Sequence, residues 1–185
     1  MRGLNRVVAR RSAAHAASST PETALVLGAA VALVVIQLAL RGWALFTSWF
    51  FQDDISLLMD ARSSRFDLSY LLEPWNNHLL PAERALMWLV ADVGPLSWGV
   101  AVTSTLVIQA LTSAAAVWML VTLFGKRPGI LVPLSLYLFT SLTVPAMMWW
   151  TACLNQLPIQ LGFFVAIGAA VRYLRGDGLR WTWPR

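Results

Sequence analysis

The sequence predicts an all-α protein: a polytopic transmembrane helix bundle with an extracytoplasmic first loop carrying short membrane-parallel helices. Three observations predict it. Of 185 residues, 58% are hydrophobic and 12% charged, with mean hydropathy +0.63, whereas a soluble domain is about a quarter charged. The apolar residues fall in runs long enough to cross a bilayer, which takes about 20 residues, and not in the short alternating patches that build an aqueous core. The basic residues, which leave a net charge of +5, cluster at both ends and in one short turn. That distribution orients membrane helices and argues against a nucleic-acid-binding face. Cys153 is the only cysteine, so an intramolecular disulfide and a two-cysteine metal site are ruled out.

Residues 1–21 read as a basic cytoplasmic tail carrying Arg2, Arg6, Arg10 and Arg11. The apolar run over 22–51 is too long for a signal-peptide core and is expected to be an uncleaved first span. Trp43, Trp49, Phe50 and Phe51 at its far end suit an interfacial aromatic belt. Residues 52–95 form the extracytoplasmic loop and hold seven of the nine acidic residues. Within it a short helix is expected from Asp53 to Arg62. An amphipathic helix over 81–93 is expected along the membrane surface, with Leu79, Leu80, Leu86, Leu89, Val90 and Val93 near helical spacing and Glu83, Arg84 and Asp92 at other positions.

Gly94 and Pro95 punctuate the chain before a second span over 96–124 and a cytoplasmic turn over 125–129 that contains Lys126 and Arg127. A third span is expected over 130–148, an extracytoplasmic connection over 149–153, a fourth span over 154–174 and a cytoplasmic tail over 175–185. Pro133, Pro145 and Pro158 are expected to bend the third span and make the start of the fourth irregular, because each removes a backbone donor. The positive-inside rule then places both termini and the Lys126-Arg127 turn in the cytoplasm.

The chemistry is concentrated where the first span meets its loop. Asp53 and Asp54 stand directly after Phe50-Phe51-Gln52. Such a carboxylate can take a proton from an attacking hydroxyl, and the pair can share a hard divalent cation, magnesium or manganese, through oxygen ligands. The same pair equally suits capping of the helix that follows, through backbone N–H groups and the helix dipole. His78 can donate a ring N–H to a phosphate. Arg62, Arg65 and Arg84 offer bidentate donors to a phosphate, or lie at the headgroup surface. Trp149, Trp150, Asn155, Gln156 and Gln160 cluster at the entry to the fourth span, where aromatic faces and amides suit a sugar, an interfacial belt or interhelical hydrogen bonds.

The order of these features, Trp-Phe-Phe-Gln-Asp-Asp at 49–54, then Asn-His-Leu-Leu-Pro at 77–81, then a long span ending Leu-Phe-Gly-Lys-Arg at 123–127, resembles the start of membrane glycosyltransferases of the GT-C class. The resemblance, to mannosyl- or arabinosyltransferase-like members, covers residues 22–176. It implies a polyprenyl-phosphate sugar as donor, transfer on the extracytoplasmic face of a bacterial plasma membrane, Asp53 as base or metal ligand, and Asp54 in support. Trp149, Trp150, Gln156, His78 and the three loop arginines would then bind substrate. Leu79-Leu80 departs from the prolines and tyrosine more usual around the His element. By this likeness the chain is the N-terminal part, or a truncated relative, of such an enzyme, with membrane lipids, a lipid-linked sugar and the missing C-terminal spans or another membrane subunit as partners. The rival expectation is a non-catalytic four-span membrane protein, an assembly partner or transporter component, in which the loop carboxylates are structural.

Overall fold

A computed structural model describes residues 2–140 and 149–176, with side chains from residue 21 onward. Among the described residues it is all-helical, with no strand. The helices are α1 (Arg2–Phe46), α2 (Asp53–Ser63), α3 (Leu68–Leu71), α4 (Pro81–Val93), α5 (Trp98–Phe124), a 3-10 turn over Pro128–Ile130 that leads into α6 (Leu131–Phe139), and α7 (Trp150–Leu174). Three are long and apolar enough to cross a membrane: the Pro21–Phe46 part of α1, α5 and α7. The third expected span is α-helical over the nine residues of α6 and ends at Thr140 in extended backbone; its residues 141–148, with Pro145, lie outside the described residues. Pro133 falls in the first turn of α6, where a missing N–H costs little, and α7 runs on through Pro158.

The first span ends earlier than its hydropathy suggests, at Phe46 and not at residue 51. Thr47 and Ser48 turn their hydroxyls back onto the Ala44 carbonyl, each at 2.9 Å, which offers the last turn an alternative to continued helix. Phe50 then leaves the expected aromatic belt and goes inside, edge-on to Trp98 at 4.8 Å and to Trp150 at 5.3 Å between centroids. Gln52, with φ of 47°, reverses the chain into α2, whose first-turn Asp53 and Asp54 favour the positive end of the helix dipole.

Two apolar clusters hold the molecule. One joins the foot of α1 to α2, α4, α5 and the start of α7 through Leu45, Phe50, Leu57, Met87, Trp98 and Trp150. The other joins α1, α5 and α6 through Val26, Ala30, Leu120, Ile130, Leu134 and Leu138. The seam between α5 and α7 is close: a Cβ added at Gly168 would overlap the Trp118 ring, and the Thr112 hydroxyl reaches the Leu157 carbonyl at 3.3 Å. Gly125, at φ of 77°, ends α5 in a positive-φ conformation that glycine adopts without strain. Arg175 donates to the carbonyls of Thr122 and Leu123, satisfying orphan acceptors of that last turn.

The amphipathic helix is present with its expected bounds, but its buried face is rotated from the expected one, keeping Val90 and taking in Glu83 and Arg84. Glu83, Arg84, Met87, Val90 and Ala91 are buried, while Leu89 and Val93 are exposed and Asp92 with them. Two apolar stripes compete on this helix, and the one that carries Met87 and Val90 packs against α2, α3, α5 and α7. The charged pair is therefore drawn into the interior.

Candidate active site

Arg84 shows how the interior accommodates a charge. Its guanidinium donates to Asp60 and to Glu73, both at 2.8 Å, and to the Tyr70 carbonyl, and it lies 4.2 Å from the centre of the Tyr70 ring. The Tyr70 hydroxyl returns a bond to the Arg84 carbonyl at 3.0 Å. One side chain thus ties α2, α3 and α4 together. Of the two other loop arginines, Arg62 points to the Ala91 carbonyl. Arg65 lines a separate depression with Asp67 and Glu73. None of the three reaches the cavity described next.

That cavity, about 210 Å³, opens where α2, the 75–78 turn, α4 and the start of α7 converge. Asp53 enters from the first residue of α2. His78 and Trp75 come from a tight turn in which Asn76 and Asn77 both take positive φ, 47° and 64°. This is the backbone that a two-residue primed turn requires and that asparagine tolerates. It closes with reciprocal backbone bonds between Trp75 and His78 at 2.9 and 2.8 Å. Trp149 and Asn155 come from the entry to α7.

Glu83 enters from α4 and was not singled out by the sequence, because a glutamate in the first turn of an amphipathic helix reads as a solvated dipole partner. A signal was present: Glu83, Met87 and Val90 share one helical face. Glu83 is 5% exposed. Burial pushes its carboxyl up to about 7, the charges of Asp54 and Asp53 add to the rise, and Arg84 opposes it. One of its oxygens and the indole N–H groups of Trp75 and Trp149 are buried at this cavity without a partner. A carboxyl that holds or yields a proton near neutral pH thus borders the same cavity as two indoles with unpartnered N–H groups and a second carboxylate.

Asp54 plays a different part from its neighbour. It is fully buried; one oxygen accepts the Phe51 N–H and the other the Thr151 N–H, both at 2.9 Å. It therefore caps the start of α7 across 97 residues and fixes the turn into its own helix, where the sequence suggested capping of α2 or support of a base. Burial raises its carboxyl above the usual range and the backbone N–H bonds oppose that. Both oxygens being engaged, the Asp53-Asp54 pair offers few free ligand positions, and among the described residues no three acidic, histidine or cysteine side chains form a metal-holding group.

The structure thus brings together Asp53, His78, Trp149 and Asn155 of the expected residues and adds Glu83 and Trp75. Trp150 is instead sealed in the core, its N–H donating to the Thr105 hydroxyl at 3.1 Å, and Gln156 is exposed away from the cavity lining. No family model matches the sequence, and no curated protein or solved structure matches it.

Proposed function

We propose that the chain is the N-terminal part of an integral membrane glycosyltransferase, moving a sugar from a polyprenyl-phosphate donor to an extracytoplasmic acceptor. The observation that carries this reading is the cavity between α2, the 75–78 turn, α4 and α7, bordered by Asp53 and Glu83 and by Trp75 and Trp149, whose indole N–H groups have no partner. Unpaired buried donors and acceptors are costly without a ligand; hydroxyl groups on a ring satisfy both kinds, and indoles supply apolar faces for its carbons. The volume lies below the roughly 300 Å³ at which drug-sized pockets begin and is of the order of one sugar ring.

In this mechanism the acceptor hydroxyl attacks the anomeric carbon, its proton passes to Asp53, and the bond from that carbon to the phosphate oxygen breaks with both electrons leaving on the phosphate. Asp53 is the base because it sits on a fixed helix end at the cavity. Glu83, titrating near neutrality, holds or releases a proton at the hydroxyls of the bound ring. The bundle is polytopic in a bacterial plasma membrane, with both termini and the Lys126-Arg127 turn cytoplasmic by the positive-inside rule and the cavity on the opposite face. Engagement of Asp54 and Arg84 in internal bonds is what a purely structural loop would also show; the free Glu83 oxygen is what it would not.

The test is label transfer from polyprenyl-phosphate hexoses and pentoses in membranes containing the chain together with any further spans of its complete protein. Asp53→Asn should lower transfer by a factor on the order of 10², with insertion unchanged. Full activity in Asp53→Asn, or no sugar-dependent change in tryptophan fluorescence in the native chain, overturns the reading. Reporter fusions after Arg11, at Ser63, after Lys126 and after Arg180 should read in, out, in, in; an inside signal at Ser63 refutes the placement of the cavity.

A further inference from the structure

Between the two apolar clusters the bundle holds a polar layer that the cavity does not use. Gln37 and Arg41 stand one turn apart on α1 and share a face. Gln37 is 2% exposed, and neither atom of its amide has a partner. Arg41 turns inward and donates to the Gln109 carbonyl oxygen on α5. The Gln109 amide donates in turn to the Ser113 hydroxyl at 2.9 Å, and the Tyr137 hydroxyl donates to Gln160 at 3.1 Å. A guanidinium carries five N–H donors; among the described residues Arg41 has one acceptor. Among the described residues the ion pairs are those of Arg84, so no carboxylate offsets Arg41. Its electrostatic neighbours are Cys153 and Tyr137.

A cation inside a candidate span, short of acceptors and beside an unpartnered buried amide, marks a binding site for an anion. Position selects its class. Arg41 lies five residues before the end of α1, about 7.5 Å along the axis, the depth at which headgroups give way to acyl chains. Val35, Ile36 and Leu40 on the neighbouring surface of α1 are exposed, as a face against hydrocarbon would be.

We propose that Arg41, with Gln37 and Gln109, binds the phosphate of a membrane lipid that enters laterally between helices. A phosphate presents several acceptor oxygens and matches the guanidinium fork bidentately, which balances the donor excess that one amide oxygen leaves. The site is separate from the Asp53 and Glu83 cavity, and the proposal stands whether or not that cavity transfers sugar.

The experiment is native mass spectrometry and thermal melting of the full chain in phosphate-free detergent, with phosphatidic acid, diacylglycerol and inorganic phosphate as probes. Phosphatidic acid should bind at one equivalent and raise the melting temperature, while diacylglycerol should do neither. Arg41→Gln should weaken phosphatidic acid binding on the order of tenfold or more, and Arg127→Gln in the cytoplasmic turn should leave it unchanged. If Arg41→Gln does not fold, Gln37→Leu should weaken the binding in the same direction. Binding of inorganic phosphate alone would overturn the lipid source. Equal binding of phosphatidic acid by native protein, Arg41→Gln and Gln37→Leu, or equal protection by diacylglycerol, would overturn the site.

Discussion

The loop assembly of α2, α3 and α4 and the bundle beneath it each draw an arginine inward, and the two are treated in opposite ways. Among the described residues Arg84 is met by two carboxylates, a carbonyl and an aromatic face, and Arg41 by one amide oxygen. The first is a well-partnered arrangement, in which two of the three guanidinium nitrogens have acceptors within the loop. The second is open. The difference teaches that burial of a charge is no guide to its role until its partners are counted: a satisfied arginine holds the fold, and an unsatisfied one awaits a partner.

The largest effect that would break this contrast is expected at Arg84. Arg84→Met should destabilise the folded protein by about 3 kcal/mol, because the Tyr70 carbonyl loses its partner and the partly exposed Asp60 and Glu73 lose theirs. Reversible denaturation in detergent micelles, read by tryptophan fluorescence, measures it. Arg41→Met is the counterpart: with no carboxylate to strand, its cost should stay below about 1 kcal/mol or turn favourable. Equal losses in the two variants would erase the distinction between them.

Asp54→Ala should rank next, at about 2–3 kcal/mol, since it leaves the Phe51 and Thr151 N–H groups buried without an acceptor. Hydrogen exchange at Thr151 should accelerate in that variant ahead of global unfolding. Asp60→Asn should follow at about 1 kcal/mol or less, because Asp60 is one of two carboxylates on Arg84 and its side chain is 35% exposed.

The last expected effect is a pH dependence. In the unfolded chain Glu83 loses its proton near 4.5, and in the folded chain near 7. Between these values the folded state binds more protons, so this residue's contribution to stability is full below about pH 4.5 and declines as pH rises toward 7. Glu83→Gln should flatten that part of the stability profile. An unchanged slope would show that Glu83 is not the group that titrates there.

Much of the architecture was legible in the chain because hydropathy acts locally. The long apolar runs gave α1, α5 and α7. The carboxylates after Phe51 and the proline at position 81 marked the starts of α2 and α4, since capping and proline geometry depend on neighbours in sequence. Asn76-Asn77 also carried a readable turn signal. The aromatic exit of α1 was misread over its last residues, for there the decision between belt and core depends on Trp98 and Trp150, distant in sequence.

The sequence by itself determined that the chain is helical, where its spanning runs lie and that its acidic residues gather after the first of them. Only the tertiary structure decided which face of α4 turns inward, and with it that Glu83 borders the cavity and Arg84 becomes a hub. It also separated Asp53 from Asp54, adjacent in sequence and placed alike by any local rule, by bringing the N–H of Thr151 to one of them. The physical reason is the same in each case: a periodic pattern offers a helix more than one apolar stripe, and a charge more than one fate, and the choice is made by which donors and acceptors other helices bring within about 3 Å.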